Sequence, residues 1–416
     1  MFEFFKTKYI KNIFSIILGA GSAQIILILA SPILTRLYSP DDFGLFALFV
    51  AITSILSVIA TGRYEIAALM PNKDENAYNL VFLSILICFF FNFCLIFFIF
   101  FFGEQALSYF QIPITYSVLY LIPLGVLLLS MNLILKSWHN RKKRFKHIAT
   151  ESVFQSITIS VSQSSLSSWL QSLGLIFGQM ISSFLSVLYY LRIFLKKDKT
   201  KLNKKKIILL MKKYSQYPLI DVPSSLISIS ANRALNILLA SIFSPSVAGF
   251  YYLTQRVLQT PITLISGSIL IVFRQQAVQD YKKNNHCKVI YMKTLCLLFL
   301  IALLPSTILY FWAENLFAFI FGEQWRESGM YAKVLIPALF LRFIANPLSF
   351  VIYIAEKQIW NFIANVILLI LLLVSVLTPG DITQVIKLIM FSYSFYYVLL
   401  ILLSFKLAFN LKFFFR

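Results

Sequence analysis

The sequence has few charged residues for its length. Charged residues make up 13% of the 416 residues, whereas 59% are hydrophobic. A soluble globular domain is usually about 25% charged and about 45–50% apolar. So few charges cannot cover a surface that faces water, which excludes an ordinary water-soluble fold. We therefore expect lipid to be the main solvent of this chain.

Cysteine, histidine and nucleotide-binding motifs are also scarce. The four cysteines and three histidines show neither metal-ligand spacing nor a disulfide framework. The pattern G-x-x-x-x-G-K-[ST] does not occur, so the chain has no P-loop of its own. We therefore expect no metal and no cofactor.

What the sequence does have is a series of long apolar runs. A helix needs about 20 apolar residues to cross the hydrocarbon core of a bilayer. These runs predict an all-α integral membrane protein with about twelve transmembrane helices, because a β-barrel would show short segments of alternating polarity instead. The predicted spans are residues 13–37, 43–70, 78–102, 114–135, 148–166, 169–195, 214–242, 246–273, 289–312, 330–355, 359–378 and 382–408. The fifth and sixth spans are the weakest, because residues 152–172 are rich in serine and glutamine.

Positive charge dominates and is unevenly placed. The chain has 37 Lys and Arg against 16 Asp and Glu, which gives a net charge of +21. Such a balance often indicates nucleic-acid binding, but 29 of the 37 basic residues fall in the N-terminal tail, in alternate loops and at the C-terminal end. That placement follows the positive-inside rule for membrane proteins. We therefore expect no nucleic-acid partner, and we predict that both termini are cytoplasmic.

The longest basic segment lies near the middle of the chain and predicts a boundary between two lobes around a central cavity. The predicted parts are a cytoplasmic basic tail (1–12), an N-terminal six-helix lobe (13–195), a cytoplasmic Lys-rich linker (196–213) and a C-terminal six-helix lobe (214–416).

The motif S-P-x-x-x-G-x-aromatic occurs at 39–46 and again at 244–251. Serine as N-cap before proline is a favourable helix start, so two helices could converge on this motif. Its place in each half nevertheless favours a parallel internal repeat.

Some polar side chains fall inside the predicted spans, where an ionised group is costly unless it has a cavity or a partner. At about 100° per residue, polar residues share one face in predicted spans 1, 5, 7 and 8. These faces indicate either packing between helices, in which Ser, Thr and Asn are common, or a hydrated cationic cavity. The residues predicted to bind an anionic substrate are Arg36, Arg63, Arg233, Arg256, Arg342, Asn232 and Gln255. The carboxylates predicted as proton or sodium sites are Glu65, Glu151 and Asp221.

Arg63 and Glu65 both lie within the predicted span 43–70. They are two positions apart, so on one continuous helix their side chains would not face each other. We therefore expect each of them to find a partner elsewhere, either in a structural salt bridge or at the cavity.

Several stretches resemble a known family. Wzx-type polysaccharide flippases open with a sequence similar to G-A-G-S-A-Q-I-I-L-I-L-A-S-P-I-L-T-R-L-Y-S-P-D-D-F-G-L-F-A-L-F (19–49) and A-T-G-R-Y-E (60–65). Their second lobe resembles Y-P-L-I-D-V-P-S-S-L (217–226), S-P-S-V-A-G-F-Y-Y-L-T-Q-R-V-L-Q-T-P (244–261) and F-G-E-Q-W (321–325). This family belongs to the multidrug/oligosaccharidyl-lipid/polysaccharide exporter superfamily. The resemblance implies two lobes around a V-shaped cleft and flipping of undecaprenyl-diphosphate oligosaccharides at the bacterial inner membrane.

The motifs themselves contain Arg36, Arg63, Glu65 and Arg256, whereas Arg233 and Asp221 rest mainly on the polar face of the seventh span. The sequence thus predicts a flippase for a surface polysaccharide repeat unit such as O-antigen, not an enzyme. The expected partners are the lipid-linked oligosaccharide, the bilayer and other polysaccharide assembly proteins.

Two alternatives stay open. A membrane-embedded polysaccharide polymerase or glycosyltransferase would need a sizeable outward loop, and the longest one predicted here, about 313–329, is short. A multidrug antiporter of the same superfamily would favour acidic over basic residues in its cavity, because its substrates are usually cationic.

Overall fold

In the computed structural model, all regular secondary structure of the described residues is helical. It describes the backbone of residues 8–110, 113–114, 116–198 and 202–410, and it leaves out the side chains of residues 8–20, 110, 116, 231–232 and 282. The helices pack into two compact units, Met1–Gly249 and Phe250–Arg416. The lobe boundary predicted at 196–213 stays a prediction.

The first unit contains the helices up to the start of the tenth. In chain order these are α1 (Lys8–Leu37), α2 (Pro40–Thr61), α3 (Tyr64–Ala67), α4 (Asp74–Phe110), α5 (Tyr116–Arg141), α6 (Phe145–Leu170), α7 (Leu173–Lys197), α8 (Lys204–Lys213) and α9 (Val222–Ile242). A π-helical turn, Tyr217–Asp221, precedes α9.

The second unit begins inside the next helix and continues to the C-terminal end. Its helices are α10 (Pro245–Asn284), which starts in the first unit, α11 (Lys288–Phe321), α12 (Arg326–Leu348), α13 (Val351–Ile354), α14 (Gln358–Leu377) and α15 (Ile382–Ala408).

The predicted spans correspond to helices along the whole chain. Among the described residues, nine helices are long and apolar enough to cross a membrane. The pieces Tyr217–Ser230 and Arg233–Ile242, which meet at an angle of 51°, make a tenth if they are counted together as one span. Gly21–Leu37 is a shorter apolar helix within α1. The all-α integral membrane fold is thereby confirmed, and about twelve spans fit it.

The helix α6 accounts for the predicted span 148–166, although it is too polar to be counted among the nine. Four of its serine hydroxyls are satisfied within the helix, because each donates to a carbonyl four residues earlier. These bonds run from Ser152, Ser156, Ser160 and Ser164 to the carbonyls of Ile148, Ser152, Ser156 and Ser160. A serine-rich helix can therefore hide its hydroxyls from an apolar environment without a partner on another helix.

The basic loops of the first unit meet at one end. Arg141, at the end of α5, binds Asp74 at the start of α4 with an N–O distance of 2.9 Å. Lys206, in α8, binds Glu75 at 2.7 Å. The three loops predicted to lie on the cytoplasmic side of this unit are therefore neighbours. This arrangement requires α6 and α7 to run in opposite directions. The prediction that alternate loops lie on the same side of the membrane requires the same.

A buried ion pair ties the same end of the unit together. The two terminal nitrogens of the Arg144 guanidinium, Nη1 and Nη2, donate to Asp198 at 2.6 and 2.7 Å. The indole of Trp138 donates to the same carboxylate at 2.9 Å. The Asp198 side chain is only 4% exposed. Three segments, the end of α5, the start of α6 and the end of α7, thus converge on one carboxylate.

In the second unit, the basic loop between α10 and α11 lies beside the end of α15. The backbone N–H of Cys287 donates to the carbonyl of Ala408 at 2.9 Å. The hydroxyls of Tyr291 and Ser404 are 2.9 Å apart. These two segments were both predicted to be cytoplasmic, and the fold places them at the same end of the unit.

Both copies of the repeated motif start a helix, as predicted. Ser39 accepts from the backbone N–H of Asp42 at 3.3 Å, and the Asp42 carboxylate accepts from the backbone N–H of Ser39 at 2.9 Å. These two bonds form a capping box before α2. Ser244 accepts from the backbone N–H of Val247 at 3.3 Å before α10.

The two motif copies also contact each other, within the first unit. A Cβ built on Gly44 would lie 1.9 Å from the carbonyl oxygen of Pro245, and one built on Gly249 would lie 1.9 Å from that of Pro40. The first turn of each helix therefore packs directly against the glycine of the other helix. Ser246 adds a hydrogen bond to Asp41 at 2.6 Å. The shared spacing within the two motifs thus produces a reciprocal contact in the fold.

Candidate functional site

The candidate site in the first unit begins with a break in the second predicted span. That span was predicted as a continuous helix over 43–70, but α2 ends at Thr61 and α3 starts at Tyr64. Gly62 adopts φ of 56°, and Arg63 adopts φ of 59°. A left-handed backbone is rare for arginine and costs free energy, so such strain persists only where surrounding contacts impose it.

The break turns the Arg63 side chain between two carboxylates. Its Nε donates to Oδ2 of Asp221 at 2.7 Å. Its Nη1 lies 3.6 Å from Oε1 of Glu65. The expectation that Arg63 and Glu65 cannot meet was therefore wrong, because it assumed a continuous helix. The expected distant partner exists as well, 158 positions along the chain.

The three side chains differ in their exposure. The exposed fraction of the side chain is 23% for Arg63 and 40% for Asp221, but only 6% for Glu65. The second oxygen of Glu65 is buried without a hydrogen-bond partner. The cluster therefore has a closed side at Glu65 and an open side at Asp221, where a ligand can reach the guanidinium.

Asp221 is positioned by an irregular backbone. It ends the π-helical turn Tyr217–Asp221, which has Pro218 near its start, and Pro223 lies near the start of α9. Proline removes a backbone donor, and wide turns of this kind occur often at functional sites. The sequence placed Asp221 on a regular helical face, whereas the structure places it just before that helix.

We expect Arg63 and Asp221 to be energetically coupled. In a double-mutant cycle with Arg63→Ala and Asp221→Ala, the free energies of unfolding should deviate from additivity by about 0.5–3 kcal/mol, because the two charged groups share one contact. The measurement is denaturant unfolding in mixed micelles. Pairing Arg63→Ala with Asp74→Ala provides the control, since Asp74 contacts other residues. Additive effects for both pairs would contradict the ion pair.

The remaining predicted substrate residues lie on other helices, namely α1, α9, α10 and α12. Arg36 is exposed in the last turn of α1, and Arg233 is partly buried in α9. Arg256 is partly buried in α10, one position after Gln255. The side chain of Asn232 lies outside the described residues.

Glu151 occupies a closed environment within the first unit. It is fully buried in α6 and accepts a hydrogen bond from the hydroxyl of Tyr190 at 2.8 Å, while its other oxygen has no partner. The ring of His139 lies 4.7 Å from that of Tyr190. Sequence analysis did not find either neighbour, because they lie on α5 and α7 and share no local pattern with Glu151.

A partly open cavity lies in the second unit, between α10, α12 and α15. The centre of a water-sized sphere can move through about 20 Å³ of it, and most of its accessible lining is apolar. Its polar lining consists of Tyr251, Thr254, Gln255, Gln259, Arg342, Tyr393 and Tyr397. Two predicted substrate residues, Gln255 and Arg342, are thus brought together. Gln259 lies on the polar face of the eighth predicted span, so the sequence pattern indicated it. No pattern distinguished the three tyrosines from the other tyrosines of the chain, which has 21 in all.

The chain matches a known family over most of its length. The family model described as "Polysaccharide biosynthesis protein" aligns with residues 33–329. The chain belongs to this family. The comparison with curated proteins gives no match.

Solved structures with a similar fold are membrane transporters. A structure described as lipid II flippase MurJ in an inward closed conformation superposes with a TM-score of 0.74 at 15% identity, covering 94% of this chain and 89% of that one. The MATE multidrug transporter DinF-BH gives 0.67 at 14% identity, covering 97% of each chain. An inward-facing MATE family transporter of the MOP superfamily gives 0.63 at 12%, covering 92% and 93%. At these identities the likeness establishes the fold, which is that of a membrane flippase or transporter.

Proposed function

We propose that this protein flips an undecaprenyl-diphosphate-linked oligosaccharide, the repeat unit of O-antigen or another surface polysaccharide, across the bacterial inner membrane by alternating access. The substrate leaves the protein chemically unchanged, so the activity is transport and not catalysis. Both termini lie in the cytoplasm in this proposal, in keeping with the basic loops that meet at one end of each unit.

The main support is that several arginines have no carboxylate partner in a chain that belongs to a polysaccharide biosynthesis family. In the described part of the chain, Arg36, Arg233 and Arg342 form no ion pair with any carboxylate. Ionised groups in membrane proteins usually face a cavity or a partner. A guanidinium forms two parallel hydrogen bonds with a phosphate, so a diphosphate is a suitable partner for such residues.

Arg63, although it is paired with carboxylates, is well positioned for a transient contact with the substrate. Its strongest partner, Asp221, is on the open side of the cluster, so an incoming phosphate oxygen competes with that carboxylate for the same donors. Release of the phosphate lets the ion pair form again. This exchange avoids leaving Arg63 without a negative partner in either state, which would be costly.

The carboxylates do not favour a cationic substrate. Asp221 is paired with Arg63, and Glu151 is buried against Tyr190. Glu65 is buried beside Arg63. A multidrug antiporter for cations would need one of these acids to be open and unpaired. They remain candidates for proton or sodium coupling, because protonation needs far less space than a substrate.

The test is complementation of a flippase-deficient strain by the wild-type gene and by Arg63→Ala, Arg233→Ala and Arg256→Ala. We expect each variant to lower export of the polysaccharide by at least about tenfold, since a charge-assisted hydrogen bond contributes about 1.5–3 kcal/mol. Export is measured as surface polysaccharide per cell, with the membrane level of each variant determined by immunoblotting.

The matched control is Arg326→Ala. Arg326 is an exposed arginine that binds Glu323, three positions earlier in the chain. It should export normally. Normal export by all three test variants, at normal membrane levels, would refute a role of these arginines in substrate binding. A loss of export in Arg326→Ala as well would show a general need for surface charge.

A further inference from the structure

The short helix α8 lies at the end of the first unit where the basic loops meet. Its ten residues extend over about 15 Å, roughly half the thickness of the hydrocarbon core, so it cannot cross a membrane. Asn203, its N-cap, donates its backbone N–H to the side chain of Asn79 at 3.1 Å. Lys206 binds Glu75 at 2.7 Å. Because both partners lie in the first two turns of α4, the start of α8 packs where the charged start of α4 gives way to its apolar run.

One part of the α8 surface is fixed to the protein, and the rest is not. Ile207 and Leu210 are buried in a hydrophobic cluster of the first unit. The other three apolar residues of the helix, Ile208, Leu209 and Met211, have exposed side chains. Exposed apolar residues beside lysines are typical of a helix that lies in the plane of the membrane surface. We therefore expect these three side chains to contact lipid.

The exposed surface of α8 also carries positive charge that the protein does not neutralise. Among the described residues, only Lys206 of this helix has a carboxylate partner. The four other lysines of α8 are exposed, and they stand in pairs at its two ends: Lys204, Lys205, Lys212 and Lys213. The two pairs flank the exposed apolar residues.

The lysines at the start of α8 oppose the local electrostatics of the helix. Lys204, Lys205 and Lys206 occupy its first turn, which contains no acidic residue. The N-terminal end of a helix has a partial positive charge, so cations are unfavourable there and anions are favourable. Glu75 offsets only one of the three charges. An anion from outside the chain would offset the other two.

These two properties together define the chemistry of the occupant. The exposed apolar side chains require hydrocarbon, and the lysines require negative charge next to it. An anionic phospholipid supplies both, because its phosphate lies directly above its acyl chains. The long stem of lysine can lie along an apolar surface while its ammonium group reaches the headgroups. Anionic lipids attract basic segments that lie next to the membrane in this way.

We propose that α8 is a binding site for the anionic phospholipids of the leaflet at this end of the unit, such as phosphatidylglycerol. The acyl chains contact Ile208, Leu209 and Met211, and the headgroup phosphates accept hydrogen bonds from the lysines at the two ends of the helix. The site uses none of the residues proposed to bind the oligosaccharide, so either proposal can fail without the other.

The experiment measures lipid binding to the full-length protein by native mass spectrometry. The protein, in neutral detergent micelles, is titrated with phosphatidylglycerol or with zwitterionic phosphatidylcholine that has the same acyl chains. The ratio of the two Kd values then isolates the charge of the headgroup. One lysine next to an anionic surface changes an equilibrium by about fivefold, so phosphatidylglycerol should bind at least about fivefold more tightly. The ratio should fall as the ammonium acetate concentration rises, because salt screens exposed charges.

Two matched sets of substitutions decide whether the selectivity arises at α8. The first set removes the four unpaired lysines of α8 and should bring the Kd ratio close to one. The second set removes four exposed lysines of the second unit and should keep the wild-type ratio. The first consists of Lys204→Gln, Lys205→Gln, Lys212→Gln and Lys213→Gln, and the second of Lys283→Gln, Lys288→Gln, Lys293→Gln and Lys357→Gln.

Two further variants separate the parts of the site. Ile208→Ser combined with Leu209→Ser should weaken the binding of both lipids by a similar factor, because the acyl chains of the two lipids are the same. Arg63→Ala should keep the wild-type ratio, since Arg63 belongs to the candidate site for the oligosaccharide, whose carrier is also an anionic lipid.

Four results would overturn the proposal. A wild-type ratio close to one would mean that water or another protein covers α8. An unchanged ratio in the first lysine set, or an equal loss in both sets, would place the selectivity elsewhere or in the net charge. Loss of the ratio in Arg63→Ala would mean that phosphatidylglycerol occupies the oligosaccharide site. Unchanged binding of both lipids by the Ile208→Ser and Leu209→Ser variant would show that these side chains do not contact lipid.

Discussion

Asp198→Ala is expected to lower the free energy of unfolding by about 3–5 kcal/mol, because removing one partner of a buried ion pair leaves the other charge without compensation. Arg144 loses both of its hydrogen bonds to the carboxylate, and Trp138 loses the acceptor of its indole N–H. The measurement is denaturant unfolding of the purified protein in mixed micelles. The contact that joins α5, α6 and α7 is removed in this variant. We therefore also expect a smaller amount of the variant protein in the membrane.

The matched control for Asp198→Ala is Glu323→Ala. Glu323 also binds an arginine, Arg326, but the two side chains are 75% and 46% exposed. An exposed ion pair contributes little to stability, because water screens the two charges, so this variant should be nearly as stable as the wild type. Equal losses in the two variants would contradict the argument from burial.

The same carboxylate gives stability a defined pH dependence. Burial by itself would raise the pKa of Asp198, but the hydrogen bonds from Arg144 and Trp138 and the nearby positive charges outweigh it and hold the pKa below its usual value. A lowered pKa in the folded state contributes stability that is present above the unfolded pKa of about 4 and is lost as the pH falls through the folded pKa. The stability difference between the wild type and Asp198→Asn should therefore be constant near neutral pH and shrink below about pH 4.

The second large effect concerns the contact between the two motif copies. Gly249→Ala should destabilise the protein by at least about 1–3 kcal/mol, the usual cost of overpacking. The added Cβ would lie 1.9 Å from the carbonyl oxygen of Pro40 and 3.0 Å from the backbone nitrogen of Gly44. Both obstacles are backbone atoms, so the first turns of α2 and α10 must move apart. Gly44→Ala should have a similar effect through Pro245.

The control lies in the same helix. A Cβ on Gly267 would meet no atom within 4 Å apart from its chain neighbours and the nearby backbone of its own helix. Gly267→Ala should therefore be neutral or stabilising by about 0.5–1 kcal/mol, because alanine loses less conformational entropy than glycine in a helix. Equal thermal stability of Gly249→Ala and Gly267→Ala would show that α2 and α10 do not approach each other closely.

The positions of the helices were largely readable from the sequence, whereas their irregularities were not. The apolar runs predicted the spans, and even the serine-rich α6 was placed correctly. The break at Gly62 and Arg63 was missed, because A-T-G-R-Y-E contains no proline and glycine is common in membrane helices. The π-helical turn before α9 was also missed, although Pro218 and Pro223 marked the region as irregular.

For the candidate site, the sequence supplied the residue types but few of the pairs. Arg63, Glu65 and Asp221 were all selected as charges inside apolar segments. Their contact depends on the backbone break and on the packing of segments 158 positions apart. The tyrosines around Arg342 were beyond prediction, because only the packing of three helices distinguishes them from the chain's many other aromatic residues.

The sequence by itself determined the solvent, the fold class and the approximate spans, and it predicts the sidedness of the basic loops. These properties follow from the apolar content and charge of contiguous segments, because each segment interacts with the lipid bilayer through its own composition. Only the tertiary structure decided that Arg63 meets Asp221, that the two S-P-x-x-x-G motifs cross at their glycines, and that Arg342 lies in a cavity without an acid. Such contacts join residues far apart in the chain, and their geometry depends on how whole helices pack against each other.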